Sequence, residues 1–280
     1  MKKNTEYILK AYNEGYAIPQ FNINNLEWAK WVLEECQKHN SPVFIGVSMG
    51  AAKYMGGYQV VSNLISGLKK ELSITIPVLL HLDHATSVEV CKKAYNAGFD
   101  SLMIDGSALK LEDNIKMTNE VCAFAYDTLI EAEIGVVGGS EDGEEMELIY
   151  TSKEEAEYFT SQTNIEMLAA SLGSVHGIYK GEPKINFEIM AQINEAIKKP
   201  LVLHGGSGLS SEIIKNSIKN GVSKINYNTE LQLAWNQALR NFIAKDSKTY
   251  DPRKVISAGE NALKKIIEER IDWVGSKNRG

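Results

Sequence analysis

The residues best suited to chemistry in this chain are histidines and carboxylates that close apolar runs. The segment 78–84, VLLHLDH, ends in Asp83 and His84. Farther along, Asp105 ends SLMID, Glu133 lies near the end of TLIEAEI, His176 follows MLAASLG, and His204 ends LVLH. An unpaired buried carboxylate costs several kcal/mol, so acids and imidazoles at strand ends belong to a site rather than to packing. Three imidazoles, from His84, His176 and His204, with one open position make the ligand set of a catalytic zinc, a Lewis acid for a substrate oxygen. His81 shares the face of Asp83 one pleat deeper and reads as a core or supporting histidine. His39, between Lys38 and Asn40 at a helix end, reads as a solvated cation.

These groups must be positioned by short buried strands. Strands are expected at 17–23, 42–48, 77–83, 101–105, 128–134, 167–173, 201–204 and 223–227, alternating with helical patterns. The helices include Thr5–Asn13, one through Trp28–Lys38 capped by Asn24 or Asn25, Tyr58–Leu72, Glu112–Tyr126 and Glu230–Ala244. Thr86 with Glu89 fits a capping box, and Gly98 fits a helix C-cap. Eight strand–helix repeats predict an α/β protein, a (β/α)8 TIM barrel over residues 1–280 as one domain. Residues 251–280, with a helix at Val255–Trp273, form an added C-terminal helical segment. An open doubly wound sheet is the alternative. In a barrel, every chemical residue named above converges on the rim that carries active sites.

The stretch GGSG at 205–208 follows strand seven and precedes a helix, so its amides can approach a phosphate closely. NYNT at 226–229 is the matching turn after strand eight, with Thr229 as a helix cap. Barrels commonly bind phosphate at these two loops. The polar stretch 138–145 reads as a long binding loop or lid. A net charge of −6 argues against nucleic acid as a partner. With no leader-like apolar segment and no run approaching about 20 apolar residues, a soluble cytoplasmic protein without membrane contact is expected. Cys36, Cys91 and Cys122 are odd in number and far apart, as core thiols are.

The motifs FNINN (21–25), HLDH (81–84), MIDGS (103–107), EAEIG (131–135), GGSEDG (138–143), HG (176–177), LHGGSG (203–208), KIN (224–226) and YDPR (250–253) run through nearly the whole chain. Together they resemble the class II, zinc-dependent ketose-bisphosphate aldolases that act on fructose or tagatose bisphosphate. The resemblance implies that His84, His176 and His204 hold zinc, and that Asp105 and Glu133 hold a second or alternative position for a divalent or monovalent cation. It implies that Asp83 is the acid/base on the C4 oxygen and that Glu141 exchanges the proton on the enediolate carbon of dihydroxyacetone phosphate. A phosphate would sit on Gly177, Gly205, Gly206, Ser207, Asn226, Tyr227, Asn228 and Thr229, with Ser48 on the sugar. Arg253 would reach the distal phosphate from a neighbouring subunit of a homodimer or homotetramer. A helix over Glu230–Ala244 running down the outside of its own barrel would place Arg253 on the face opposite its own site, in keeping with that sharing.

The chain departs from the family pattern at Ala85, at Ser140 and at ALKL in 108–111. These departures leave fructose, tagatose and related ketose phosphates, sulfonated ones included, open as substrates. A metal-dependent hydrolase on the same barrel, a silent sugar-phosphate sensor, and a Schiff-base aldolase using Lys224 are the competing readings. Lys224 lies two residues before Asn226, which places it below the rim.

Overall fold

The computed structural model describes residues 2–141, 144–146, 148–179 and 181–280, except the side chains of 140, 141 and 144–146. In chain order the first half comprises α1 (Thr5–Glu14), β1 (Ile18–Asn22), α2 (Leu26–Lys38), β2 (Val43–Ser48), α3 (Met49–Tyr54), α4 (Tyr58–Glu71), β3 (Val78–Ala85), α5 (Val88–Asn96), β4 (Ser101–Asp105), α6 (Leu111–Phe124) and β5 (Leu129–Ile134). The second half comprises β6 (Gly138–Glu141), β7 (Glu144–Met146), α7 (Lys153–Gln162), β8 (Met167–Ala170), β9 (Val175–His176), α8 (Phe187–Ile197), β10 (Leu201–Leu203), α9 (Ser211–Lys219), β11 (Val222–Tyr227), α10 (Thr229–Lys245), α11 (Pro252–Ser257) and α12 (Glu260–Val274). The strands β1, β11, β10, β8, β5, β4, β3 and β2 close in that order into a parallel barrel, as expected.

Closure turns the two-residue side-chain period of each strand into layers inside the barrel. At the base Ile18, Phe44, Leu79, Leu129 and Val202 pack together, and Ile8 and Ala11 of α1 plug them from below. One pleat higher the interior becomes polar, with buried Gln20, His81, Glu131 and Lys224. Another pleat higher come Asn22, Asp83, Glu133, His204 and Asn226, also buried. The outward faces of the strands form the larger apolar core with the surrounding helices.

The helix that completes the wall is α12. It packs on α2, α9 and β1, with Leu263, Ile267, Ile271 and Val274 buried. By contrast α10 rests on α12 and α11, and Leu231 is its sole buried residue. The expected descent of this helix along its own barrel is therefore corrected: the C-terminal helix occupies that place instead. Arg270 locks the two helices together through Glu230, at 2.6 Å for both nitrogen–oxygen contacts.

Other local expectations also change. The stretch 138–145 is a hairpin rather than an open loop: β6 pairs antiparallel with β7 and parallel with β9. Ser87, not Thr86, caps α5, accepting from Val90 N, and Thr229 is the first residue of α10 rather than its cap. Asn25 caps α2 as expected, accepting from Trp28 N at 2.9 Å. His39 is buried, with Nε2 3.0 Å from Glu35 Oε1, so its helix-end position does not leave it in solvent. The three cysteines are buried thiols. Among the described residues no helix is long and apolar enough to cross a membrane.

If α12 is the eighth wall helix, truncation there opens a cavity and truncation on α10 does not. Ile267→Ala, at a position with no exposure, is expected to cost about 2–5 kcal/mol. Leu233→Ala, 52% exposed on α10, is expected to stay within about 0.5 kcal/mol. Urea unfolding of the two variants checks the contrast, and equal costs would return the eighth place to α10.

Candidate active site

Successive residues of a strand point to opposite faces, so Asp83 and His84 should not both reach the barrel mouth. They do so because the β3–β4 register shifts between Leu82 and Ala85, and because His84 adopts φ 49°. This is a bulge with a non-glycine residue in the left-handed region, a strained arrangement of the kind found beside functional sites.

The bulge delivers the His84 ring to two others. Ring centroids lie 4.6 Å apart for His84–His204, 4.9 Å for His84–His176 and 5.6 Å for His176–His204. Each imidazole offers a nitrogen, and the three nitrogens lie within 4.8 Å of one another. His84 Nε2 and His204 Nδ1 are 2.9 Å apart. The opposite ring nitrogens are occupied by carboxylates: Asp105 Oδ2 is 2.8 Å from His84 Nδ1, and Glu131 Oε1 is 2.8 Å from His204 Nε2. A carboxylate on the far nitrogen fixes ring and tautomer, leaving the near nitrogen as a ligand. His176 arrives differently from the expected strand-six end, on β9, which β6 holds by pairing Gly139 with His176. A Cβ at Gly139 would collide with the His176 carbonyl, so glycine permits that approach.

Asp83 is held from two sides, accepting from Asn22 Nδ2 at 2.8 Å and Asn226 Nδ2 at 3.3 Å. Burial raises its carboxyl, but the imidazoles of His84, His204 and His81 and the Lys224 ammonium outweigh burial and hold it below the usual carboxylate range. Glu133 goes the other way: burial, then Asp105, pushes it well above the ordinary value. One of its oxygens, Oε2, is buried without a hydrogen-bond partner. With His84 and Asp105 it forms a second trio of groups able to hold a cation, although Asp105 already accepts from His84 Nδ1 and from Ser107 Oγ at 2.6 Å. His176 is kept neutral by burial and by its two imidazole neighbours.

A small pocket at the mouth is lined by Asn22, Asp83, the three imidazoles and a polar crescent of Gly177, Gly205, Ser207, Asn226, Asn228 and Thr229. The crescent meets the first turn of α10, whose amides and dipole favour an anion. Gly205 has φ 66°, and a Cβ there would strike the Val175 carbonyl. Tyr179 Oη pins this loop, donating to Gly205 O at 2.8 Å and accepting from Val175 N at 3.1 Å. The Ser207 hydroxyl accepts from Asn228 N and Glu230 N.

Some expected residues sit elsewhere. Gly206 turns toward β11, its N–H donating to Asn226 O, and Tyr227 points outward, stacked on Phe21. Neither lines the pocket. Ser48 pairs in register with Asp83 and caps α3 by accepting from Ala51 N at 3.2 Å. The Arg253 side chain is 89% exposed and paired with its own Asp251. Glu141 ends β6, and its side chain lies outside the described residues. Asn22 and Glu131 were missing from the expected site. Asn22 ends strand one as Asp83 nearly ends strand three, and Glu131 underlies Glu133 by the spacing that relates His81 to Asp83.

Taken together, a parallel barrel with a trio of imidazoles able to hold a metal, buried carboxylates and a polar crescent at one rim has the architecture of an enzyme acting on phosphorylated small molecules. The model of the family "Fructose-bisphosphate aldolase class-II" matches residues 2–279, and the chain belongs to that family. It is 46% identical over 277 residues to a fructose-bisphosphate aldolase of Geobacillus stearothermophilus, covering 98% of this chain and 96% of that one. It is 45% identical over 271 residues to a 6-phospho-5-dehydro-2-deoxy-D-gluconate aldolase of Shouchella clausii, covering 96% and 92%. Among solved structures, the YdjI aldolase of Escherichia coli superposes with a TM-score of 0.85 at 31% identity, covering 99% of this chain and 98% of that one.

Gly205→Ala places a Cβ where none fits and forces a strained φ, a change expected to cost about 1–3 kcal/mol. Because the displaced loop belongs to the anion crescent, binding of inorganic phosphate should weaken at least about tenfold, a loss of roughly 1.4 kcal/mol. Calorimetry of wild type and variant tests this, and unchanged phosphate affinity would remove Gly205 from the crescent.

Proposed function

We propose that this chain catalyses the reversible, metal-dependent aldol cleavage of fructose 1,6-bisphosphate to dihydroxyacetone phosphate and glyceraldehyde 3-phosphate. The observation that carries this reading is the imidazole trio beside Asp83, facing an anion-binding crescent. His84, His176 and His204 would hold the catalytic zinc, since their donor set suits it, and Asp105 and Glu133 border a position for a second cation. When bound, the metal supplies positive charge at the substrate's carbonyl end, against which negative charge can develop.

The chain's own groups perform the proton transfers. The crescent of Gly177, Gly205, Ser207 and Thr229 at the start of α10 orients one phosphate. Asp83, held ionised, takes the C4 hydroxyl proton; the C3–C4 bond breaks, its electron pair stays on C3, and the C4 aldehyde departs. Glu141 then returns a proton to C3. Lys224 does not fit the Schiff-base alternative, because its ammonium is fully buried below the rim in an ion pair with Glu131.

A two-fold dimer completes this reading. Arg253 is exposed and offered outward, and α10 leaves Leu233 and Ile243 about half exposed, as a partner surface would. The distal phosphate would then meet the partner's arginine.

Cleavage of fructose, tagatose and sulfonated ketose phosphates and of 6-phospho-5-dehydro-2-deoxy-D-gluconate, each with and without chelator, tests the proposal. Fructose 1,6-bisphosphate is expected to be cleaved fastest, chelation to abolish cleavage and zinc to restore it; full activity of metal-free enzyme would refute the metal role. Asp83→Ala should keep its metal but lose roughly 10²–10⁴-fold in kcat, and a loss under threefold would dismiss Asp83 as acid/base. Mixing inactive Asp83→Ala with Arg253→Ala subunits should raise activity above either parent. No gain after demonstrated subunit exchange would place Arg253 within its own chain's chemistry or outside it.

A further inference from the structure

The polar layer beneath the site contains a charged pair with no part in the proton transfers above. Glu131 and Lys224 both have fully buried side chains, with Nζ 2.8 Å from Oε2. Such a pair is expensive to desolvate, and apolar residues of similar volume often serve stability as well or better. Stability alone therefore does not account for it. Beyond His81 in the same layer, 3.7 Å from Glu131 Oε2, and the Phe44 ring below the Lys224 ammonium, its hydrogen bonds lead upward. Glu131 Oε1 meets His204 Nε2 at 2.8 Å, a contact in which the ring nitrogen must donate, leaving Nδ1 with the lone pair. That Nδ1 faces His84 Nε2 at 2.9 Å. Lys224 Nζ donates to Asn226 Oδ1 at 2.9 Å, which fixes the amide so that Nδ2 points at Asp83 Oδ1, 3.3 Å away, and at His204 Nδ1, 3.2 Å away.

We propose that Glu131 and Lys224 act as a positioning pair: Glu131 sets the tautomer and ring orientation of His204, and Lys224 sets the amide of Asn226 and through it Asp83. One buried ion pair thus aligns a metal-ligating ring and the acid/base together. The inference rests on the reading of His204 as a metal ligand, and its tests do not need aldolase activity.

The first test uses the full-length wild-type protein without metal and with 15N-labelled histidine. NMR should find His204 protonated at Nε2, and the Nδ1–H tautomer would overturn the proposal whatever the enzyme's activity. The second compares Glu131→Leu/Lys224→Met, which keeps the layer filled and uncharged, with Glu131→Gln, whose amide oxygen can still accept from Nε2. The double variant should remain folded while its zinc dissociation constant, read by chelator competition, rises about 10–100-fold. Glu131→Gln should recover most of that loss. A folded double variant with wild-type zinc affinity and an unchanged His204 tautomer would mean that the pair only fills space. If the double variant does not fold, Glu131→Gln and the wild type decide: an Nε2–H tautomer in both, with Glu131→Gln zinc affinity near wild type, supports the pair, and an Nδ1–H wild type contradicts it.

Discussion

The structure depends on a single constraint: ionisable groups gathered inside a closed barrel cannot turn to water, so they must satisfy one another. Asp83, Glu131, Glu133, His81, His204 and Lys224 are all buried in its upper half. An uncompensated charge there would cost several kcal/mol, which is why nearly every polar atom has a neighbour of opposite character. Three exceptions lie together among these groups. His81 Nε2, Glu131 Oε2 and Glu133 Oε2 lack hydrogen-bond partners, although Glu131 Oε2 keeps the Lys224 ammonium 2.8 Å away. Orphaned acceptors and a triplet of imidazole nitrogens within one small volume fit a site organised around a cation.

Layering makes this affordable to the fold. An apolar base of Ile18, Phe44, Leu79, Leu129 and Val202 closes the barrel below, so the polar layers need not contribute the packing. The same alternation that hides Leu79 aims His81 and Asp83 inward, and a local bulge then adds His84 to the same mouth. Glycines at 139 and 205 bring two loop backbones into contact with β9, so His176 and the anion crescent meet at one point. Position is thus assigned by strands, and final orientation by the hydrogen bonds beneath and beside each ring.

Much of this was legible in the sequence because strand ends in a parallel barrel project onto one rim. Asp83, His84, Asp105, Glu133, His176 and His204 could be placed by counting strands, as could the phosphate loops after strands seven and eight, and the family motifs added Glu141, Ser48 and Arg253. What could not be read depends on departures from periodicity. Alternation forbids Asp83 and His84 from sharing a face, and no residue type at 83–85 announces the bulge that reconciles them. The hairpin of β6 and β7 was hidden because its glycines and acids lack strand propensity; its pairing comes from β9, which is distant in sequence. Nor could amphipathicity decide whether α10 or α12 lines the wall, since both carry an apolar stripe and tertiary packing chooses between them. Glu131 was legible as well, since it precedes Glu133 by the same two residues that separate His81 from Asp83.

The central claim is that the three imidazoles form one metal centre at the barrel mouth. Anomalous diffraction at the zinc edge, from crystals grown with zinc, addresses it directly. The account predicts a strong peak about 2.0–2.1 Å from one nitrogen each of His84, His176 and His204. Full zinc occupancy away from any one of these rings, for example among Glu35, His39 and Glu268, with no density between the three imidazoles, would contradict it.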